Sequence, residues 1–413
     1  MGKEWIQRFQ NRARCNMTDQ EMMLNRRNFV KLGAGMGMAS GMAAAAMANE
    51  EEKSASEGMK YRTLGRTGLK VSEVSFGSYG FNNSELLQEA LDKGVNLICT
   101  AAEYQRGVAE EAIGRVMKTR RKDAILFTGW RCRPNSKKEE LLKTLDESLK
   151  RLQTDYIDII KSHFIEDPAW LDNDEQYAAF EAAKKAGKAG FLSLSVHSGN
   201  LEDILKKAIE KNTFDVIQCK YNFMEFPAQK KLFEEAAKQG IGAIVFKIGA
   251  GNMQDEIRGL EEKGFSVGQA GIRWALSNQD VSSVCVTIRN FNQINEYCEA
   301  VTKKLSQADV ELLRRYAQAV DQTYCRYCST CEPHCPYGVS VANVMRYSMY
   351  FKYYKMEKEA MQLYAQLPFE CRPDACENCP APCEKRCPHQ RSVREGLLEA
   401  KRLLKCANTI SVA

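Results

Sequence analysis

The chain has 413 residues and a formal net charge of +6, from 59 Lys and Arg against 53 Asp and Glu. So small a surplus, spread along the chain, excludes nucleic acid and an anionic membrane surface as the targets of function. The length suffices for one large domain and one small one, and the 16 cysteines need a reason.

Residues 25–31 read NRRNFVK, followed by LGAGMGMASGMAAAAMA. Paired Arg26 and Arg27, then Phe29 and Lys31, precede a mild apolar run that ends Ala46-Met47-Ala48. This has the form of a twin-arginine export signal with a small-residue cleavage site. The run is too short and Gly-rich for a membrane span, which needs about 20 apolar residues. Residues 1–48 are expected to be the signal and 49–59 a polar linker. The mature protein is then periplasmic, exported folded by the twin-arginine translocase, with a membrane tether if the signal stays uncleaved. The competing reading is a merely amphipathic or flexible N-terminus.

From residue 60 to about 318, short apolar runs alternate with amphipathic helical stretches. The strand candidates are VSEVSFGS, NLICT, AILFTG, YIDIIKSH, GFLSLSVH, DVIQCKYN, IGAIVFK and VSSVCVT. Helical patterns such as KKEELLKTLDESLKRL and LEDILKKAIEKN lie between them. Eight strand–helix units over about 250 residues predict an α/β fold, a (β/α)8 TIM barrel. Chemistry in such barrels sits at the C-terminal strand ends. That directs attention to Ser78, Cys99 to Tyr104, Gly129 to Arg131, His163, His197, Tyr221, Lys247 and Arg289.

Residues 319–413 form the second part, a small α-helical, ferredoxin-like domain. Seven cysteines are scattered singly, whereas nine crowd between Cys325 and Cys387. CRYCSTCEPHCP supplies Cys325, Cys328, Cys331 and Cys335 before Pro336, the spacing of bacterial iron–sulfur proteins. CRPDACENCPAPCEKRCP supplies Cys376, Cys379, Cys383 and Cys387 before Pro388, with one extra residue between the second and third. In two-cluster ferredoxins the fourth cysteine of each run serves the other cluster. Two 4Fe-4S clusters are therefore expected, one on Cys325, Cys328, Cys331 and Cys387, the other on Cys376, Cys379, Cys383 and Cys335. Cys371 is a spare thiol or an alternative ligand. Zinc is the competing metal, but four-cysteine zinc sites usually come as two separated pairs. Tyr347, Tyr350, Phe351 and Tyr354 lie on a helical segment between the runs and are expected to shield the clusters. Because clusters are inserted in the cytoplasm, the export signal and the cysteine runs support each other.

The stretches YRTLGRTGLKVSEVSFGSYGF, GVNLICTAAEYQRGVAEEAIG, TDYIDIIKSHFIEDP and GIRWALSNQDVSSVCVTIRNFNQINE follow one another at set distances. In these the chain resembles the aldo-keto reductases, and most closely the branch with a C-terminal ferredoxin module. The resemblance implies carbonyl reduction with NADPH through an Asp, Tyr, Lys and His. Tyr104 matches the acid and His163 the residue that orients the carbonyl. The Asp position is Cys99 and the Lys position Gly129, or Arg131 if the alignment slips. An ion pair of this kind is expected to be lost as a unit, since one buried charge without its partner costs several kcal/mol. Without that cation Tyr104 is not expected to titrate below the usual value of about 10. His197 matches a His of the ferredoxin-bearing branch, and Lys247 either restores the lost charge or holds a phosphate. The same resemblance implies nucleotide contacts from Ser195, Gln218, Phe246, Lys247, Arg289, Asn290, Gln293 and Glu296, with Val196 replacing an expected Asn. Free NADPH is not expected outside the cytoplasm. The enzyme must carry NADP(H) tightly bound, use another redox cofactor, or take electrons only through its clusters.

These readings give an exported iron–sulfur oxidoreductase acting on a small carbonyl- or alcohol-like substrate, with a redox partner protein or electron carrier. The alternative is a non-catalytic electron-transfer subunit with a degenerate barrel.

Overall fold

The computed structural model describes residues 58–197, 200–224, 227–249, 266–321 and 324–405. The expected signal peptide and all but the end of the linker lie outside the described residues. Eight parallel strands close into a barrel in the order β10-β3-β4-β5-β6-β7-β8-β9. They are β3 (Val74–Gly77), β4 (Leu97–Cys99), β5 (Ile125–Arg131), β6 (Ile157–Ile165), β7 (Ala189–Val196), β8 (Val216–Lys220), β9 (Gly242–Phe246) and β10 (Ser283–Thr287). Each falls within one of the eight apolar runs or extends it by a few residues. Each is followed by a helix: α1 (Ser84–Asp92), α2 (Val108–Arg120), α3 (Lys138–Leu152), α4 (Asp174–Lys185), α5 (Leu201–Lys211), α6 (Pro227–Lys238), α7 (Val267–Leu276) and α8 (Phe291–Ala300).

The run VSEVSFGS is not one strand. Val71 and Ser72 belong to β2 (Lys70–Ser72), which pairs antiparallel with β1 (Tyr61–Thr63). Ser72 Oγ donates to the Val74 carbonyl and Glu73 N–H to the Lys60 carbonyl, breaking the ladder between β2 and β3. Leu64 and Val71 of this hairpin close the floor of the barrel, packing with Leu97, Phe127, Ile159, Val216 and Ile244.

Alternation along each strand sends one set of side chains inward and the other toward the helices. On β6, Ile159 joins the barrel interior, Ile160 packs in the layer beneath the helices, and Ser162 Oγ donates to Gln176 on α4. Lys161 and His163, on the same face as Ile159, therefore point into the barrel. Each fully buried Ile or Phe of these layers contributes about 1.5–3 kcal/mol. At the end of β6 the pairing with β7 slips between Ser162 and Ile165, and Phe164 takes φ +69°. A bulge at a barrel rim re-aims side chains, here those of His163 and Phe164.

After the barrel, α9 (Gln307–Val320) starts at a capping box of Ser306 and Asp309. The first cysteine loop leads into α10 (Val341–Lys352), α11 (Glu357–Ala365), the second cysteine run with α12 (Pro382–Lys385), and α13 (Val393–Leu404). The helical segment between the runs is thus broken in two, at a turn where Lys355 takes φ +55°. Tyr316, Val344, Tyr347, Tyr350, Leu397 and Ala400 form the core of this part, continuous with Phe223, Val267 and Ala270 of the barrel.

Candidate active site and cysteine centre

The strand ends bring Tyr104, His163, His197, Phe164 and Phe246 into one aromatic cluster at the mouth. Tyr104 meets His163 edge-on at 5.6 Å, and His163 meets His197 at 5.5 Å. Phe164 stacks on His197 at 4.5 Å, and His197 on Phe246 at 4.6 Å. Ser78 is buried beneath them. Tyr221 does not join the site; it packs outward on Trp274 and Phe233.

His163 Nδ1 lies 2.5 Å from Glu103 Oε1, and its Nε2 is buried without a partner. Burial alone would raise the Glu103 carboxyl, but His163 and nearby hydrogen bonds outweigh it and bring its pKa to about 2. An ionised carboxylate only accepts, so Nδ1–H is the donor. Burial holds the His163 imidazole below its usual value against the pull of Glu103, so the ring is neutral at neutral pH. Nε2 is then left as a bare acceptor. Tyr104 is pushed well above 10, first by burial and then by the Glu103 charge, and stays a phenol that can donate. The mouth thus holds a fixed acceptor beside a fixed donor.

The sequence reading took in Glu103 only as one of Cys99 to Tyr104, with no role, and it missed Lys161. Lys161 is 1% exposed, with Nζ 4.7 Å over the Phe127 ring and 6.0 Å from the centre of Tyr104, and it donates to Gln218 Oε1 at 3.4 Å. The barrel interior therefore still contains a cation, supplied by the strand next to Gly129. Its neighbours are Cys99 and Cys285. Burial raises the Cys99 thiol, which donates to Cys285; that hydrogen bond, aided by Lys161, lowers Cys285. A lysine in the inward register of β6, two residues before His163, was the available signal.

Arg131, the other candidate cation, lies over Phe164 instead.

The residues expected to hold NADP(H) are engaged elsewhere. Ser195 Oγ accepts from Phe164 N–H, Gln218 from Lys161, and Glu296 from Ser266. Asn290 caps α8 by accepting from Gln293 N–H, while Gln293 accepts from Arg289 N–H. His197 stacks on Phe246, with Lys247 Nζ 5.8 Å from the same ring. The C-terminal part takes up the two cations: Lys247 Nζ donates to Tyr350 Oη at 3.2 Å, and Arg289 Nη2 to the Tyr354 carbonyl at 3.1 Å. As they stand, the polar residues of that set hydrogen-bond within the protein.

The cysteines fall into two groups. Cys325 lies within electrostatic reach of Cys328 and Cys387, and Cys331 within reach of Cys325, Cys328 and, from the other group, Cys383. Cys335, Cys376, Cys379 and Cys383 line one small pocket together with Val341 and Leu397. Each group draws on both sequence runs. Cys371 is pushed up by burial and then by Glu370 and Glu332, apart from either group. Among the described residues no three His, Cys, Asp or Glu side chains close on a point that one metal ion could occupy. A tetrahedral single-ion site with bonds of about 2.3 Å needs sulfurs only about 3.8 Å apart. Tyr327 N–H and Val339 N–H each donate to a cysteine sulfur, on Cys325 and Cys335, at 3.4 Å.

Residues 82–258 match the aldo/keto reductase family. The chain is 26% identical to L-galactose dehydrogenase of Arabidopsis thaliana over 287 residues, 59% of this chain and 89% of that protein. It is 25% identical to L-glyceraldehyde 3-phosphate reductase of Escherichia coli (strain K12) over 319 residues, 61% of this chain and 92% of the relative. Among solved structures, the aldo-keto reductase AKR11C1 from Bacillus halodurans (holo form) is similar in fold, with a TM-score of 0.53 and 23% identity, covering 65% of this chain and 99% of that one. The barrel thus contains an aldo/keto reductase family domain, and the protein is an oxidoreductase of aldo/keto reductase type.

Proposed function

We propose that the protein is an exported iron–sulfur oxidoreductase. The barrel mouth oxidises a small hydroxyl compound, or reduces the matching carbonyl, without a nicotinamide nucleotide. The observation that carries this reading is a run of buried and half-buried tyrosines leading from the first cysteine loop to the mouth. Tyr327, in the loop between Cys325 and Cys328, senses both Tyr350 and Tyr354. Those two rings stack at 5.6 Å, and Tyr350 in turn acts on Tyr104.

The two thiol groups would hold 4Fe-4S clusters, which move electrons one at a time. The residues of the chain handle the protons. In the oxidising direction the substrate C–OH becomes C=O, releasing two electrons and two protons. His163 Nε2 accepts the hydroxyl proton while Glu103 steadies Nδ1–H, and the proton from the carbon passes to solvent water as the electrons leave singly. In reverse the same path runs backward: His163 Nε2–H returns its proton to the carbonyl oxygen, which the Tyr104 phenol holds by a hydrogen bond, and the carbon takes its proton from solvent as the two electrons arrive. The electrons come from or go to a one-electron carrier protein. The relatives' names, a sugar dehydrogenase and a glyceraldehyde phosphate reductase, favour a substrate of hydroxyl and carbonyl character. The twin-arginine signal and periplasmic location belong to the same proposal, since a cluster-bearing protein must be exported folded.

The test uses protein purified anaerobically. Iron is measured, the protein is denatured, and the supernatant is assayed for NADP(H), with Tyr104→Phe compared in turnover. Two clusters, no nucleotide, and loss of turnover in Tyr104→Phe are expected. Stoichiometric nucleotide would overturn the nucleotide-free route. The replacement of the family Asp and Lys by Cys99 and Gly129 favours a second reading, a barrel that only docks a redox module. Unchanged electron transfer in Tyr104→Phe would select that one.

A further inference from the structure

We propose that the mouth takes a small organic acid, its carboxylate held between Arg131 of the barrel and Arg346 of the C-terminal helices. The inference rests on the mouth being a substrate site and names the class of molecule it receives. Arg131 ends β5 and Arg346 lies midway along α10. Their guanidinium carbons lie over one ring, that of Phe164, at 5.0 and 5.7 Å.

Arg346 is 1% exposed, yet among the described residues its only hydrogen bond is from Nη2 to Asn343 Oδ1 at 2.5 Å. Its Nε and Nη1 are buried without partners, as is Arg131 Nε. Charged groups in an interior are otherwise paired, because an uncompensated one is strongly destabilising. Glu166 and Glu332 are the carboxylates nearby: Glu166 acts on Tyr347 and Tyr350, and Glu332 feels Arg346, but among the described residues neither forms an ion pair with either arginine. Both guanidinium groups thus keep donors in reserve beside the reacting residues.

The rest of the mouth points the same way. Lys161 and Arg131 bear on His163, and Lys247, Arg346 and Lys161 on His197, whereas Glu103 is taken by His163. Positive charge is in excess. His197 Nδ1 is a further buried atom without a partner. The stack of Phe164, His197 and Phe246 provides a flat apolar wall. A planar monoanion attached to an unsaturated or aromatic skeleton suits this wall, and guanidinium is the weakly hydrated cation best matched to a carboxylate. The arginines come one from each part of the chain, so the acid group would be gripped only when the C-terminal helices are docked on the barrel.

The test measures binding, not turnover, by calorimetry on the full, cluster-loaded chain in phosphate-free buffer. The probes are benzoate, its neutral counterpart benzamide, and inorganic phosphate. Benzoate is expected to bind at one site per chain, with benzamide weaker by about tenfold or more. Arg346→Gln and Arg131→Gln should each weaken benzoate by about tenfold while leaving benzamide and the cluster absorbance unchanged. If Arg346→Gln does not fold, Arg346→Lys and the half-exposed Arg131→Gln carry the test. Equal binding of benzamide, binding of phosphate without benzoate, or full benzoate affinity in the Arg131 variant would overturn the assignment. Failure of the redox reading registers separately, as missing iron or unaltered electron transfer in Tyr104→Phe.

Discussion

Gly129 and Lys161 fit each other across β5 and β6: a β-carbon on Gly129 would fall 2.3 Å from Lys161 Cγ and 2.6 Å from the Lys161 carbonyl oxygen. The absence of a side chain on one strand is what lets the neighbouring strand send a lysine into the barrel. Gly129→Ala should therefore overpack a rigid layer and cost about 1–3 kcal/mol. A thermal melt would register this as a loss of several degrees. An unchanged melting temperature would mean that Lys161 can leave the space freely.

The His163–Glu103 pair predicts a pH dependence of stability. Both groups titrate lower in the folded chain than their ordinary values of 6.5 and 4.5. The unfolded chain then binds more protons in those windows, so stability rises with pH through them. The His163 contribution is complete above about 6.5 and lost as pH falls below it. The Glu103 contribution is complete above about 4.5 and lost as pH approaches about 2. Melting curves of wild type and Glu103→Gln should differ most between the two windows, where His163 gains its proton while Glu103 stays ionised, and converge as the pH approaches about 2. A gap unchanged between neutrality and pH about 4.5 would contradict this pairing.

Cysteine exchange tests the crossed grouping. Cys335→Ser should perturb the same paramagnetic signal as Cys376→Ser, although it belongs to the first sequence run. Cys387→Ser should act with Cys325→Ser. Each should remove roughly half of the bound iron, while Cys371→Ser leaves both signals. If Cys335→Ser instead matched Cys325→Ser, each run would serve its own cluster.

Arg391 is 6% exposed, and none of its three side-chain nitrogens has a hydrogen-bond partner. Cys325 and Cys387 lie within its electrostatic reach, and Asp321 is 4.0 Å away. A buried cation favours the more negative, reduced state of a neighbouring centre. Arg391→Gln should therefore lower the midpoint potential of one cluster and leave the other in place, as followed by a redox titration with paramagnetic resonance. Equal movement of both would point to a general loosening of the fold.

The eight strands were legible because each is an apolar run bounded by helical periodicity, and Tyr104 and His163 because their motifs sit at strand ends. Other features depend on neighbours that are remote in sequence. The split of VSEVSFGS rests on backbone bonds from Glu73 to Lys60 and from Val284 to Glu73. Glu103 seemed one charge among many until the fold set it against His163, 60 residues on. Lys161 was hidden by the search for a cation on the strand of Gly129, when the interior layer is shared among strands. The engagement of Lys247 and Arg289 with Tyr350 and Tyr354 could not be read from motifs that treat the barrel alone.

The exchange of cysteines between the two runs also bears on when the centre can form during synthesis. The first group waits for Cys387, and the second needs Cys376, Cys379 and Cys383 besides Cys335. A chain still emerging from the ribosome, with α10 and α11 already made, possesses neither set complete. On the proposed ligation both sets would be finished within the same stretch of about a dozen residues, from Cys376 to Cys387, so the centre would close like a clasp once that stretch is made. A prematurely terminated chain would have a barrel sequence of full length and no finished centre, leaving half-built intermediates little time to persist.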